Sequence, residues 1–374
     1  MSAISNKLIA WYEPNRRDLP WRKTKDPYAI WVSEVILQQT RVAQGLGYYH
    51  RFLQAFPTVQ SLADAPLDDV MRVWQGLGYY TRARNMHAAA QQVVSEHGGK
   101  MPNTYEQLRS LRGVGDYTAS AVGAFAFNIP RPAVDGNVYR IWSRIFGVFT
   151  PIDTSEGQKE LYQIALDQLD RQRSGLFNQA IMDFGGTLCT PKNPLCGGCP
   201  VADVCYAFRN NAVAQLPAKS KKVKVTNRYF AYLMVRHKSD TFIRRRDGND
   251  IWNSLYEFPL IETSGSTSLK ALEKTQEWKE MFGRIKPAVL HISPPLKHTL
   301  SHQHIYTQFY IMEVKTVPYF LSTNFIRVKA DSMGEYPTSR LIDGYMAAEP
   351  VGKYFLRHEL EGGAAAPSAT GGAE

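Results

Sequence analysis

The sequence predicts two domains, an all-α domain followed by a smaller α+β domain. Three observations carry this. The chain has 374 residues, too many for one ordinary core. Through residue 215 the apolar residues recur at helical spacing between short Gly- and Pro-bearing turns. After Leu216-Pro217 the pattern changes to segments rich in aromatic and β-branched residues. With 44% hydrophobic and 21% charged residues the chain is globular, neither disordered nor collagen-like. No apolar run approaches the roughly 20 residues of a membrane helix. Met1–Asn6 lacks the charged start and apolar stretch of a secretory signal, so a cytoplasmic protein with no membrane partner is expected.

The elements follow in order. Asp26-Pro27 joins an N-cap to proline at the first helical position and opens a helix over Tyr28–Gln39. Helical spacing continues through Met71–Val73, Ala88–Val94, Ala119–Phe127, Val138–Phe146 and Leu161–Leu169, and the first domain is placed at 1–215. A basic, extended connector containing Lys219, Lys221, Lys222 and Lys224 fills 216–227. Strands are expected over Arg228–Arg236 and Ile305–Val317, with a helix over Leu269–Met281 between them. The second domain is placed at 228–357, and a tail of small residues at 358–374 is expected to be disordered.

The formal charge of +10 points to a polyanionic partner without naming it. Its placement says more. Residues 1–218 carry a net +4, residues 219–246 a net +9 and residues 247–374 a net −3. The excess thus sits in a 28-residue window, which reads either as a solvated linker with an exposed strand or as a ridge facing DNA.

All four cysteines, Cys189, Cys196, Cys199 and Cys205, fall within 17 residues in the order C-x6-C-x2-C-x5-C. Such spacing suits a closed tetrahedral thiolate site, for zinc or for an iron–sulfur cluster. Gly113 and Gly115 lie one residue apart between helical patterns at Thr104–Leu111 and Tyr117–Phe127. That arrangement allows backbone N–H groups at a helix start to approach a phosphate, although a plain interhelical turn also favours glycine. Glu34 sits mid-helix with Ile30, Trp31 and Leu37 at neighbouring positions, so its carboxyl points from the apolar stripe. Lost hydration raises such a carboxyl's pKa and suits it to general-acid work; an interior ion pair with Arg22 or Arg41 is the other account. Asp135 precedes a helix, where it is either an ordinary N-cap or a carboxylate kept ionised by the helix's positive end. Together Glu34 and Asp135 match the acid-plus-stabiliser pairing of glycoside cleavage.

With these motifs the sequence resembles the MutY-type adenine DNA glycosylases of the helix-hairpin-helix superfamily that includes endonuclease III. The resemblance rests on Trp31–Thr40, Gly76-Leu77-Gly78-Tyr79-Tyr80, the glycine hairpin, Val134-Asp135-Gly136-Asn137-Val138 and the four-cysteine loop, which occur in the family's order. It implies a 4Fe–4S cluster on the cysteines. It also implies a monomeric enzyme that flips adenine from a duplex, opposite 8-oxoguanine or guanine, and cleaves its glycosidic bond. Glu34 is then the acid that protonates adenine N7 and Asp135 the stabiliser of the sugar cation. Arg22, Tyr117 and Asn137 shape the pocket, while Gln39, Thr40, Leu77 and Tyr79 belong to the segment that wedges into the duplex.

Position 117 bears on the sub-family. The superfamily's bifunctional lyases carry a lysine nucleophile there, whereas this chain has tyrosine, which forms no Schiff base, so a monofunctional hydrolase is expected. The second domain resembles the family's nudix-like domain, with Ile251–Pro259 as its marker. The acidic metal-binding helix of nudix hydrolases is absent, so no pyrophosphohydrolase activity is expected. Ser301 and His302 match the loop that recognises 8-oxoguanine, with Leu300 in place of an aromatic residue. An endonuclease III-type lyase and a non-catalytic lesion-binding protein are the competing readings.

Overall fold

The computed structural model describes residues 2–220, 225–248 and 250–348. The chain divides into two compact units, residues 1–77 with 81–222, and Gly78–Tyr80 with 223–374. No helix among the described residues is long and apolar enough to cross a membrane.

The first unit is helical. Asp26 caps the helix Pro27–Leu37 by accepting from the Tyr28 and Ala29 amides, and Pro27 supplies the preset first turn. Every residue from Tyr28 to Ile36 is buried, so this is a central helix. It packs against the helix Asp116–Phe127, which is itself buried from Thr118 to Phe125. Small residues there permit close approach: a Cβ added at Gly175, on the neighbouring helix Ser174–Asp183, would lie 2.6 Å from the Ala124 carbonyl oxygen. A second core gathers Leu8, Tyr12, Ile141, Trp142, Phe177 and Phe184, with the N-terminal helix Ala3–Asn15 packed against the helix Ser174–Asp183.

The hairpin follows from its glycines. The helix Tyr105–Ser110 turns at Gly113, whose φ of +75° lies in the left-handed region. A Cβ there would meet Asn85 at 2.5 Å. Gly115 then begins Asp116–Phe127 with no side-chain cap, and a Cβ on it would touch nothing within 4 Å. The protein itself does not require glycine at 115.

The second unit is α+β. Its central strands are β1 (Thr226–Arg236) and β7 (Gln303–Glu313), parallel along their whole length. The five-stranded sheet runs in the order β4 (Leu260–Thr263), β1, β7, β5 (Ala288–Ile292), and β6 (Leu296–Thr299) also pairs with β7. β3 (Tyr256–Glu257), β2 (Asp240–Arg245) and β8 (Ile326–Lys329) form a second sheet. Alternation along β1 sends Phe230, Tyr232 and Met234 to one core and Ala231, Leu233 and Val235 to the other. The helix Arg340–Ala348 covers the first face through Leu341, Ile342 and Tyr345, and Gln276–Phe282 covers the second through Trp278, Met281 and Phe282.

Several expectations are corrected. The expected helix Leu269–Met281 is two helices, Leu269–Leu272 and Gln276–Phe282, because Thr275 caps a new start by accepting from the Trp278 amide. The strand expected to reach Val317 ends at Glu313. The basic window does not form an exposed strand: β1 is interior to its sheet. Its arginines are also matched, Arg228 with Asp250 and Glu262, Arg236 with Glu313, and Arg244 and Arg246 with Glu257. Lys219 is exposed, whereas Lys221, Lys222, Lys224 and the tail at 358–374 lie outside the described residues.

Candidate active site and cysteine loop

Three helices of the first unit deliver the predicted pocket residues to one cavity of about 380 Å³, whose lining includes Arg22, Glu34, Thr40, Tyr117, Asp135 and Asn137. Glu34 comes from the buried helix Pro27–Leu37 and is 7% exposed. Tyr117, in the first turn after the hairpin, donates its hydroxyl to Glu34 Oε2 at 2.7 Å. Burial pushes the Glu34 carboxyl up to about 7, and the nearby Asp135 adds to this against the opposing pull of Tyr117 and Arg22. Burial, then the charge of Glu34, holds the Tyr117 hydroxyl well above its ordinary range, so it stays a donor.

Asp135 caps the helix Gly136–Phe146. Its Oδ1 accepts from the Asn137 and Val138 amides, each at 2.9 Å, and its Oδ2 accepts from Asn137 Nδ2 at 2.7 Å. Asp135 is therefore the N-cap of this helix, and the same bonds fix its carboxyl in the wall of the Glu34 cavity. Asn137 is fixed in turn by Arg140, which donates to its Oδ1 at 2.9 Å and to the Cys189 carbonyl at 2.9 Å.

Two groups escaped the sequence reading. Asp183 is fully buried and ion-paired with Arg17 and Arg22, its Oδ1 2.7 Å from Arg17 Nε and 2.6 Å from Arg22 Nη2. Arg22 thus has Asp183, not Glu34, as its ion-pair partner. Arg82 donates to the carbonyls of Val35, Ile36 and Gln38 at 2.7, 2.9 and 2.7 Å. It holds the C-terminal end of the Glu34 helix where Gln39 turns at φ +55° and Thr40 follows. A basic residue 44 to 47 positions away carries no local signal that it caps this end.

Leu77, in the first unit, is not part of that cavity's lining. Leu77 is packed inside at 6% exposure, and Tyr79 is 48% exposed at φ +50°. Ser301 and His302 belong to the second unit, in the turn between β6 and β7, both exposed, with Ser301 Oγ 3.5 Å from His302 Nδ1. Leu300 packs partly against the core there.

The four cysteines line one cavity together with Arg144, Phe184, Leu188 and Val201. Burial is the leading cause that raises the thiols of Cys196, Cys199 and Cys205, Cys199 to about 11, with neighbouring sulfurs adding to it. Ionising these three is therefore costly without a cationic group between them. A single zinc ion would draw its thiolates to about 2.3 Å. Four sulfurs in the wall of one cavity are a donor set that can hold an iron–sulfur cluster. Arg144 Nη1 stands 3.4 Å from Cys189 Sγ and donates to the Thr190 carbonyl at 2.8 Å, tying the loop to the helix Gly136–Phe146. Cys199→Ala is expected to lose iron and acid-labile sulfide together in protein purified anaerobically; retention of both would remove Cys199 as a ligand.

Three family models match the chain: the HhH-GPD superfamily base excision DNA repair protein over residues 32–165, the iron–sulfur binding domain of endonuclease III over 189–205, and the NUDIX domain over 231–348. The adenine DNA glycosylase of Rattus norvegicus is 33% identical over 333 residues, which cover 74% of this chain. The chain spans 64% of that relative's length. The adenine DNA glycosylase of Buchnera aphidicola subsp. Schizaphis graminum is 31% identical over 325 residues, 87% of this chain and 89% of the relative. Among solved structures, a thermostable thymine-DNA glycosylase matches with a TM-score of 0.52 and 27% identity, over 55% of this chain and 95% of that one.

Proposed function

The chain belongs to the adenine DNA glycosylase family, and from that membership we propose that it hydrolyses the glycosidic bond of adenine mispaired with 8-oxoguanine or guanine in duplex DNA. The observation that carries this reading is the pair of unlike carboxyls in one cavity: Glu34, buried and raised to about 7, and Asp135, held by three hydrogen bonds. A buried carboxyl that keeps its proton suits the acid, and a second carboxyl fixed beside it in the same cavity suits the stabiliser.

Glu34 transfers its proton to N7 of the flipped adenine as the bond to C1′ breaks. The Asp135 carboxylate stabilises the cationic sugar. Glu34, now ionised, takes a proton from the water that attacks C1′, which leaves an abasic site. Tyr117 orients the Glu34 carboxyl throughout. The uncapped amides after Gly115 hold a phosphate, and Gln39, Thr40, Leu77 and Tyr79 form the duplex-wedging segment, with Tyr79 its solvent-facing member and Leu77 its internal support. Ser301 and His302 are assigned to the 8-oxoguanine base. The cysteine loop holds a 4Fe–4S cluster, with Cys189, Cys196, Cys199 and Cys205 as its ligands. The protein acts as a monomer.

The direct test is release of free adenine from a duplex carrying one A:8-oxoguanine pair, beside the same duplex with A:T. Release from the first and not the second is expected; no release from either would sink the proposal. The lyase alternative requires an amine nucleophile, and among the described residues no lysine lines the Glu34 cavity. Borohydride added during turnover is accordingly expected to trap no covalent enzyme–DNA adduct. A trapped adduct abolished by changing one lysine would reinstate that alternative.

A further inference from the structure

A second cavity of about 360 Å³ opens in the helical unit, with Tyr105, Tyr117, Arg131, Tyr139, Lys159 and Tyr162 in its wall. It adjoins the first. Tyr117 lines both, and the consecutive residues Val134 and Asp135 line one each. The Arg131 guanidinium lies over the Tyr105 ring, 3.6 Å from its centroid, and its Nη2 donates to the Tyr162 hydroxyl at 3.2 Å. Its Nε is buried without a hydrogen-bond partner. The carboxylate in the wall, Asp116, is already engaged by Arg109 at 2.7 Å and by the Tyr105 hydroxyl at 2.9 Å. The guanidinium of Arg109, then Tyr105, holds it below the usual carboxylate range. Arg131 and the exposed Lys159 thus give this cavity a positive lining, edged by phenolic hydroxyls.

We infer that this cavity, through Arg131 and Lys159, binds a backbone phosphodiester of the DNA strand whose base enters the Glu34 cavity. The inference rests on the proposed glycosylase reading. Arg131 lines the cavity and its side chain is only partly buried, so an anionic oxygen there meets a guanidinium that gives strong, charge-assisted hydrogen bonds. Stacking on Tyr105 holds the guanidinium plane in place before the ligand arrives, which lowers the entropy lost on contact. The adjoining hairpin presents uncapped amides for a phosphate, so a strand running from one site to the other is held at two points on either side of Tyr117.

The test measures equilibrium binding to the A:8-oxoguanine duplex across a salt series, for the full chain and for Arg131→Gln, Lys159→Gln and Lys100→Gln. Lys100 follows the far end of the helix Thr81–His97 and serves as a charge control. Each of the first two variants is expected to reduce the log–log salt slope, by about 0.9 at most for the one phosphate they share, with Lys100→Gln leaving it as in the wild type. Lys159 is exposed, so its variant keeps the test valid if Arg131→Gln fails to fold. Unchanged slopes for Arg131→Gln and Lys159→Gln, or an equal drop for Lys100→Gln, overturn the inference while leaving adenine release by the wild type intact. If the two variants instead lose only a thermal shift produced by inorganic phosphate, the cavity takes a free anion and the DNA contact is overturned. A wild type that neither binds the duplex nor releases adenine overturns the glycosylase reading and this one together.

Discussion

Glu34→Gln lowers adenine release from an A:8-oxoguanine duplex under single-turnover conditions by about 100- to 10,000-fold, the range lost with a general acid. Binding to the same duplex persists. Glutamine fills the same volume and still accepts from Tyr117, but it has no proton to give. Release at near wild-type rate would remove Glu34 from the proposed role. The pH dependence has a fixed sign. An acid raised to about 7 is protonated below that pH, so the wild-type rate falls as pH rises through about 7. The same shift affects stability. The folded state holds this proton more tightly than the unfolded chain, whose carboxyl titrates near 4.5. Stability therefore declines between about pH 4.5 and 7, by about 3 kcal/mol in total from this group. Thermal melts are expected to show Glu34→Gln stabilised over wild type at pH 8 and little changed at pH 4.

Asp183→Ala is expected to destabilise the protein by about 3–5 kcal/mol, the cost of stranding a buried cation. Asp183 has no solvent-exposed side-chain surface, and its partner Arg22 is only 11% exposed. Removing the carboxylate leaves that guanidinium, which already draws the Glu34 pKa downward, without its neutralising partner. The wild-type arrangement lets an arginine line the cavity while Glu34 keeps its proton. Asp183→Asn, milder in packing, should shift the alkaline limb of the rate profile to lower pH. Urea unfolding gives the first quantity, and a loss below about 1 kcal/mol would show that the ion pair is dispensable.

The legible parts of the molecule are those whose cause is local. Asp26-Pro27 states a helix start within two residues, and the structure begins the helix at Pro27. Gly113 states a left-handed turn because no side chain fits beside Asn85. The apolar neighbours of Glu34 announced its burial three or four positions away. What escaped depends on distant partners. Nothing around Asp183 indicates that two arginines more than 160 residues earlier will close on it. Charge counting also misled: the arginines of the basic window meet Asp250, Glu257, Glu262 and Glu313, which sequence order placed in a separate, acidic segment. The break of Leu269–Met281 was missed because Thr275 reads equally as an interior helix residue or as a cap, and only its bond to the Trp278 amide decides.

The parallel pairing of β1 with β7 sets an order of assembly. Each β1 residue meets a partner 77 positions later, so the central sheet has no middle until the chain has been made through Glu313. The helical unit has its own core, which ends with Ala207, Ala212 and Leu216, and its last cysteine is residue 205. A chain leaving the ribosome N-terminus first therefore has every residue proposed for bond cleavage before the residues proposed to inspect the opposite base exist. Premature termination in the interval from about residue 222 to residue 300 would yield a cutter without its inspector.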